Sequence, residues 1–374
     1  MAKLGDIATY INGYAFKPQD WSDEGIPIIR IQDLTGNSYQ ANRYNGEYAS
    51  KYEVNDGDVL ISWSASLGVY IWHGEKAVLN QHIFKVVFDK ERISKDFFVH
   101  QVGLILENAA SDAHGATMKH LTKPVFDALP FYLPPYEKQC EIAGILDKVT
   151  SLISLRKQQL AKLDELVKAR FVEMFGDPVT NPKGYEKYKL ENLARKISDG
   201  VHSKPDYTET GRPFLSVVNI NKGVINFKNC KYVSEDAYQK MIKSTHPERG
   251  DVLYTKVGAT YGIPAYVDTD IAFCLYVSVC LIKPKREVIN PRFLSLSMEM
   301  PYVKHQADRR IKGIGVPDLH LNQISEFEIL CPPLKEQDIF IYFVERLDGE
   351  KRVVQQSLEK LELMKMALMQ EYFG

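Results

Sequence analysis

The stretch LPPYEKQ, Leu133 to Gln139, recurs as CPPLKEQ, Cys331 to Gln337. Each copy runs into a segment of helical pattern, and each segment ends in Phe-Gly, at Phe175-Gly176 and at Phe373-Gly374. The two copies are offset by 198 residues at both ends, so the device is repeated without a gap. The prolines suit a helix start, with the second in the first turn, where no N–H is needed. The glycines suit a helix stop.

Outward from this device the repeat continues. GIPIIRIQDL from Gly25 and GRPFLSVVNI from Gly211 both read as Gly-x-Pro followed by a strand-type apolar run. Gly57-Asp58-Val59-Leu60 returns as Gly250-Asp251-Val252-Leu253, and Phe98 finds a counterpart in Phe293. GATMKHL from Gly115 lies over GIGVPDL from Gly313. Leu4, Ile7, Ala8 and Ile11 lie over Leu190, Leu193, Ala194 and Ile197. The offset drifts from 186 to 198, which places small insertions in loops of the second globular part. The period is far too long for a solenoid, so this is one duplication of a unit of nearly 200 residues.

The helical segments keep a 3,4 spacing of apolar residues. The seam reads Leu146, Val149, Ile153, Arg156, Leu160, Leu163, Val167, Arg170, Met174. Shifted by 198 it reads Val344, Leu347, Lys351, Val354, Leu358, Leu361, Lys365, Leu368, Tyr372. About four heptads in one register predict coiled-coil helices. The competing reading lays each helix on its own domain. A helix of about 39 residues is about 58 Å long, too long for one face of such a domain. The expected fold is therefore α+β: two similar globular domains joined by an antiparallel, pseudo-twofold pair of long helices. The segments are 1–135, 136–176, 177–333 and 334–374. Arg156, Arg170, Lys351 and Lys365 interrupt the seam, where they are expected to fix register.

Composition sets bounds. The chain has 374 residues, with 45% apolar and 25% charged side chains, the values of an ordinary globular protein. Neither an apolar run of about 18 residues nor a signal-peptide core is present, so no membrane role and a cytoplasmic location are expected. Five cysteines without a C-x-x-C pair suit reduced thiols better than disulfides or zinc. The net charge of −1 is uneven, from −4 over residues 1–135 to +4 over 177–333. Global charge does not announce a nucleic-acid partner, so local patches or a partner subunit must supply phosphate attraction.

The segment LPPYEKQ…ILDKV…RKQQLAKLDELVKARFVEMFGD resembles the central conserved region of a type I restriction–modification specificity subunit, and CPPLKEQ…LEKLELMKMALMQEYFG resembles its distal one. The resemblance covers essentially the whole chain. It implies two target-recognition domains, each reading one half of a split DNA site, with the paired helices setting the spacer between the halves. It implies no catalysis and no cofactor in this chain. Two DNA-methyltransferase subunits using S-adenosylmethionine and two motor-nuclease subunits using ATP and Mg would dock on it. Two fused, diverged copies suit this role. Symmetric dimers read half-sites about 34–36 Å apart, and fusion frees each half to read its own sequence.

LPPY invites comparison with the Asn/Asp-Pro-Pro-Tyr motif of amino methyltransferases, but Leu133 replaces the polar residue and the second copy also loses the tyrosine. No P-loop exists, and GATYG and GIG fit no dinucleotide fingerprint. Asp206 and Glu209 lack the lysine that follows in many nuclease sites. No histidine, His82 and His100 included, has metal-ligand spacing. The alternatives are a coiled-coil scaffold without DNA specificity, or a solitary methyltransferase or nuclease.

Base readout needs side chains that present donors, acceptors or apolar surface at loops and strand ends. In the first globule the candidates are Arg30 and Gln32, alternating with Ile29 and Ile31 on a short strand, then Ser62, Trp63 and Ser64 after GDVL, then Lys119 and His120. In the second they are His202, Lys204, Lys256, Tyr261 and the basic patch Arg309, Arg310 and Lys312 beside Gly313. The competing reading of each is an ordinary surface or core residue. Lys256 aligns with Trp63, and Lys204 with Lys17.

Overall fold

The computed structural model describes residues 1–36, 42–112, 122–221, 223–311 and 315–374. It forms two compact units, Met1–Gln158 with Gln355–Gly374, and Gln159–Val354. Each unit holds one globule and stretches of both long helices.

The globules share a topology. In the first, an antiparallel sheet runs Thr9–Asn12, Ile83–Val87, Val59–Ser62, Gly68–Ile71. In the second the same order is Ala194–Asp199, Val279–Pro284, Val252–Thr255, Pro264–Tyr266. A smaller sheet accompanies each. The Gly-x-Pro strand at its centre, Ile26–Ile29 or Arg212–Leu215, pairs in parallel with Ala77–Leu79 or Cys274–Leu275. The central strand of the main sheet is buried on both faces, as its unbroken apolar run requires.

The GDVL motif is a turn followed by that central strand. Gly57 and Gly250 have φ of 81° and 91°, a region open to glycine at little cost. The aspartate closes the turn: Asn55 N–H donates to Asp58 Oδ2 and Glu248 N–H to Asp251 Oδ2, both at 2.8 Å. Each aspartate also faces a lysine of the neighbouring strand, Asp58 with Lys85 at 2.9 Å and Asp251 with Lys283 at 2.7 Å. Lys283 is shared with Glu248 and holds that carboxyl below its usual range.

The two long helices span Tyr136–Phe175 and Leu334–Phe373, 40 residues each and so about 60 Å long. Each starts one residue after the proline pair rather than with the second proline in its first turn. The reason lies in that proline's carbonyl. It accepts from Lys138 and Gln139 N–H in one copy, and from Glu336 and Gln337 N–H in the other. The glutamine that ends the motif is buried in both copies, and it is the device's centre. Gln139 Nε2 donates to the Pro134 carbonyl at 2.9 Å, while its Oε1 accepts from Ser94 N–H at 3.0 Å. Gln337 repeats this with Pro332 at 2.7 Å and Asn290 N–H at 2.8 Å. Ser94 and Asn290 stand just before the globule helices Lys95–Asp112 and Pro291–Glu299. Each long helix is thus latched to the helix start of its own globule.

Within each unit the long helices run antiparallel. Arg156 Nε donates to Ser357 Oγ and Lys157 pairs with Glu362 in the first unit; Asp164 pairs with Lys351 and Arg170 lies over Phe343 in the second. All eighteen seam positions are buried or half-buried. The Phe-Gly endings explain themselves here. Phe373 packs edge-on to Phe97 at 5.4 Å in the first unit, and Phe175 packs edge-on to Phe293 at 5.3 Å in the second. This makes Phe97, not Phe98, the counterpart of Phe293. The latch agrees, since Ser94 and Asn290 precede them by three. The globule helix is continuous in the first unit but breaks at Met300-Pro301 in the second, because Pro301 supplies no N–H.

Candidate nucleic-acid interface

One end of each main sheet leads into the helices that carry the latch. At the other end three turns meet, held by backbone bonds. In the first globule Gly13 N–H donates to Ile83 O (3.1 Å), Tyr14 N–H to Leu79 O (2.8 Å), Trp63 N–H to His82 O (3.2 Å) and Asn80 N–H to Ile29 O (3.1 Å). In the second, Gly200 N–H donates to Val279 O (3.2 Å), Val201 N–H to Leu275 O (2.8 Å), Lys256 N–H to Ser278 O (3.0 Å) and Tyr276 N–H to Leu215 O (2.8 Å). The frame is the same, bond for bond. A Cβ on Gly13 would stand 1.9 Å from Asn80 O, and one on Gly200 2.3 Å from Leu275 O, so glycine is what lets the turns meet.

In architecture and sequence this is a known arrangement. The profile of the type I restriction modification DNA specificity domain matches residues 1–165 and 182–363. The chain belongs to that family. It is 24% identical to the type I restriction enzyme EcoBI specificity subunit of Escherichia coli, over 99% of this chain and 84% of that protein. It is 23% identical to the MjaVIII specificity subunit of Methanocaldococcus jannaschii, over 99% and 90%. The fold is similar to a crystal structure of a type I restriction-modification S subunit from M. genitalium, with a TM-score of 0.59 and 14% identity over 100% and 95% of the two chains. A chain from a structural study of complex assembly and conformational transition of the type I R-M system matches at a TM-score of 0.56 and 15% identity, over 100% and 96%.

This specificity subunit places the sequence-derived candidates unevenly. Arg30 is not on a strand. The strand ends at Ile29, and Asp33 accepts Arg30 N–H at 2.8 Å, turning Ile31–Leu34 into a helical turn that carries Gln32. The Arg30 guanidinium lies 5.7 Å from the Trp21 ring. Trp63 stacks on Phe84 at 5.7 Å, touches the His82 ring at 4.9 Å, and donates its Nε1–H to Asn12 Oδ1 at 3.2 Å. Ser62 and Ser64 are buried. Ser62 Oγ donates to the Ser66 carbonyl and ties the turn, as Thr255 Oγ1 does to Thr260 O at 2.7 Å. Lys256 is likewise buried, 3.2 Å from Asp199, which His202 approaches at 3.8 Å from solvent. Ser62, Ser64 and Lys256 therefore build the site rather than project from it.

Lys204 lies exposed, 5.7 Å from the Tyr207 ring. The Tyr261 hydroxyl donates to Asp308 at 2.6 Å, with Lys304 Nζ 3.3 Å from the Tyr261 ring. Burial opposes ionisation of Asp308, but Lys304 and Tyr261 hold it below the usual carboxylate range. Arg309 is exposed; Arg310 donates to Gln306 O at 3.0 Å and covers Phe327. Both line a groove of about 530 Å³ with Lys187, Lys189 and His305. Lys119, His120 and Lys312 lie outside the described residues.

Sequence reasoning missed Asn80, Gln81 and Tyr14, which stand beside Arg30 and Trp63. The available signal was Asn80-Gln81-His82, a polar triplet between two apolar runs. Among the described residues there is no cluster of three metal-ligating side chains, and no helix is long and apolar enough to cross a membrane.

Proposed function

We propose that each globule of this DNA specificity subunit reads one half of a split, asymmetric DNA site, and that the length of the paired helices sets the number of unread base pairs between the halves. The observation that supports this reading is the doubled frame: two globules with sheet ends of one architecture, each globule latched by a buried glutamine to a helix of the same 40-residue length. The chain does no covalent chemistry and binds no cofactor of its own. Methyl transfer from S-adenosylmethionine and ATP- and Mg-driven cleavage belong to methyltransferase and motor-nuclease subunits, two of each, assembled on it in the cytoplasm. With −4 over residues 1–135, those partners supply much of the phosphate neutralisation.

Mapping adenine methylation genome-wide in a strain with and without this chain tests the reading. A two-part motif with a fixed gap should vanish when the chain is removed; a methylome indifferent to the chain would sink it. A salt titration of DNA binding by the chain alone and with methyltransferase subunits should show a much steeper slope in complex.

A further inference from the structure

Matching backbone bonds define which residues occupy equivalent places at the three-turn end of the two sheets. Trp63 corresponds to Lys256, since both donate to the third residue of the facing turn, His82 or Ser278. Gln81 then corresponds to Val277. Arg30, which follows Ile29, corresponds to Ser216, which follows Leu215, because Asn80 and Tyr276 bond to those two strand ends.

The two globules agree in what holds the turns and disagree in what the turns carry. Gly13 and Gly200, the GDVL turn, the Asp–Lys contact and the hydroxyl tie of Ser62 and Thr255 are kept. Trp63, with its neutral hydrogen bond to Asn12, becomes Lys256 in an ion pair with Asp199. A bidentate amide at Gln81 becomes the branched apolar Val277. A guanidinium at Arg30 becomes the hydroxyl of Ser216. Neutral surface drift would scatter such changes over exposed loops, but these residues are half-buried and stand on backbone that the frame fixes. The Gln81 backbone N–H donates to Asn80 Oδ1 and to Tyr14 O, both at 2.8 Å, and the Arg30 guanidinium lies 5.7 Å from the Trp21 ring and 3.7 Å from Asp33. Among the described residues four non-glycine residues have positive φ, and two of them, Ala65 at 59° and His82 at 71°, flank Trp63. Backbone held in that region concentrates at ligand clamps.

We propose that the three-turn end of each sheet is its base-reading edge. The pairs Arg30/Ser216 and Gln81/Val277, standing on the floor formed by Trp63/Lys256, determine which bases each half accepts. This rests on the split-site reading above. The chemistry is directional: Gln pairs with adenine and Arg with guanine through two bonds each, Ser accepts several partners, and Val packs on the thymine methyl. The first globule is therefore the stricter reader of purines at these positions, and the second the more tolerant one.

The test uses the full chain co-expressed with its methyltransferase subunits and mapped methylation as readout. Arg30→Ser with Gln81→Val should alter one to three positions of one half-site and lower methylation of its original form about 10-fold or more. The other half-site should stay intact and serve as the folding control. Ser216→Arg with Val277→Gln should change the other half instead. Both half-sites unchanged in both variants would overturn the inference. If a double variant loses both halves together, Gln81→Glu decides: an altered single half supports the edge, an unaltered one refutes it. A wild-type chain that directs no split motif would instead remove the functional reading beneath it.

Discussion

The two globules fasten themselves to the helices in the same way at one level and differently at the next. Both use a glutamine that bonds a helix-start amide and a proline carbonyl, and both receive a phenylalanine from the far end of a long helix. The side-chain clamps beside these differ. The first globule sets His100 against Asp147 at 2.7 Å, while the second sets Arg292 against Asp348. Likewise the GDVL carboxylate is nearly sealed in the second globule, at 1% exposure, but open to 24% in the first. The backbone bonds of the latch survived duplication with their geometry, and the Asp–Lys contact survived with its chemistry, whereas the side-chain clamps changed both partners and position.

Breaking the comparison outright should give the largest effect. A fragment of residues 1–176 lacks Leu368, Tyr372 and Phe373, which cover Phe97, Leu146 and their neighbours in the first unit. A second copy of the fragment carries Phe175 in the equivalent place. The fragment should be a dimer by light scattering, and a strictly monomeric one would show that the two helix ends are not interchangeable. Next comes the latch. Gln337→Ala leaves a buried N–H and a buried carbonyl without partners, at about 3 kcal/mol for the two groups together. Gln139→Ala should cost nearly the same, read as a shift in urea midpoint. A tenfold disparity in unfolding constant between them would mean the copies are not equivalent.

The GDVL aspartates sharpen the comparison because they should differ. Asp251→Ala should cost about 2 kcal/mol, less than a fully broken buried pair because Lys283 keeps Glu248. Asp58→Ala, with a more hydrated carboxylate, should cost about 1 kcal/mol. Equal costs by the same urea series would count against burial as the cause. The smallest effect is in thiol reactivity. Cys140 is exposed, Cys331 is half-buried with its thiol pushed up by burial, and burial raises Cys274 to about 12. Alkylation at neutral pH should label Cys140 first, Cys331 slowly, and leave Cys230, Cys274 and Cys280 untouched in the native chain. Early labelling of Cys274 would indicate local opening of the second globule.

The helices were legible in the sequence because a seam sustained over about four heptads has no other periodic reading. The duplicated motif also pointed to the buried glutamine, although its role as a latch depends on Ser94 and Asn290, some 45 residues away. The reading edge was half legible. Arg30 and Trp63 stood out by residue type, but their neighbours Gln81 and Tyr14 are brought in by parallel pairing of distant strands, which no local pattern encodes. Ile28, Ile29 and Ile31 look like one strand that would carry Arg30, but Asp33, three residues on, accepts the Arg30 N–H and ends the strand at Ile29. Ser62 and Lys256 looked like contacts because polar residues at a strand end resemble a surface. Only the depth of the turn beneath them shows otherwise.

The bonds that the glutamine latch makes in both copies run to backbone alone, to an amide at the start of a globule helix and to its own proline carbonyl. A foreign globule grafted at the proline pair would need that amide and, three residues on, an aromatic ring to meet the phenylalanine of the far helix end. The joint therefore behaves as a socket with few pins, which constrains one end of a globule and leaves the sequence of the opposite sheet end open.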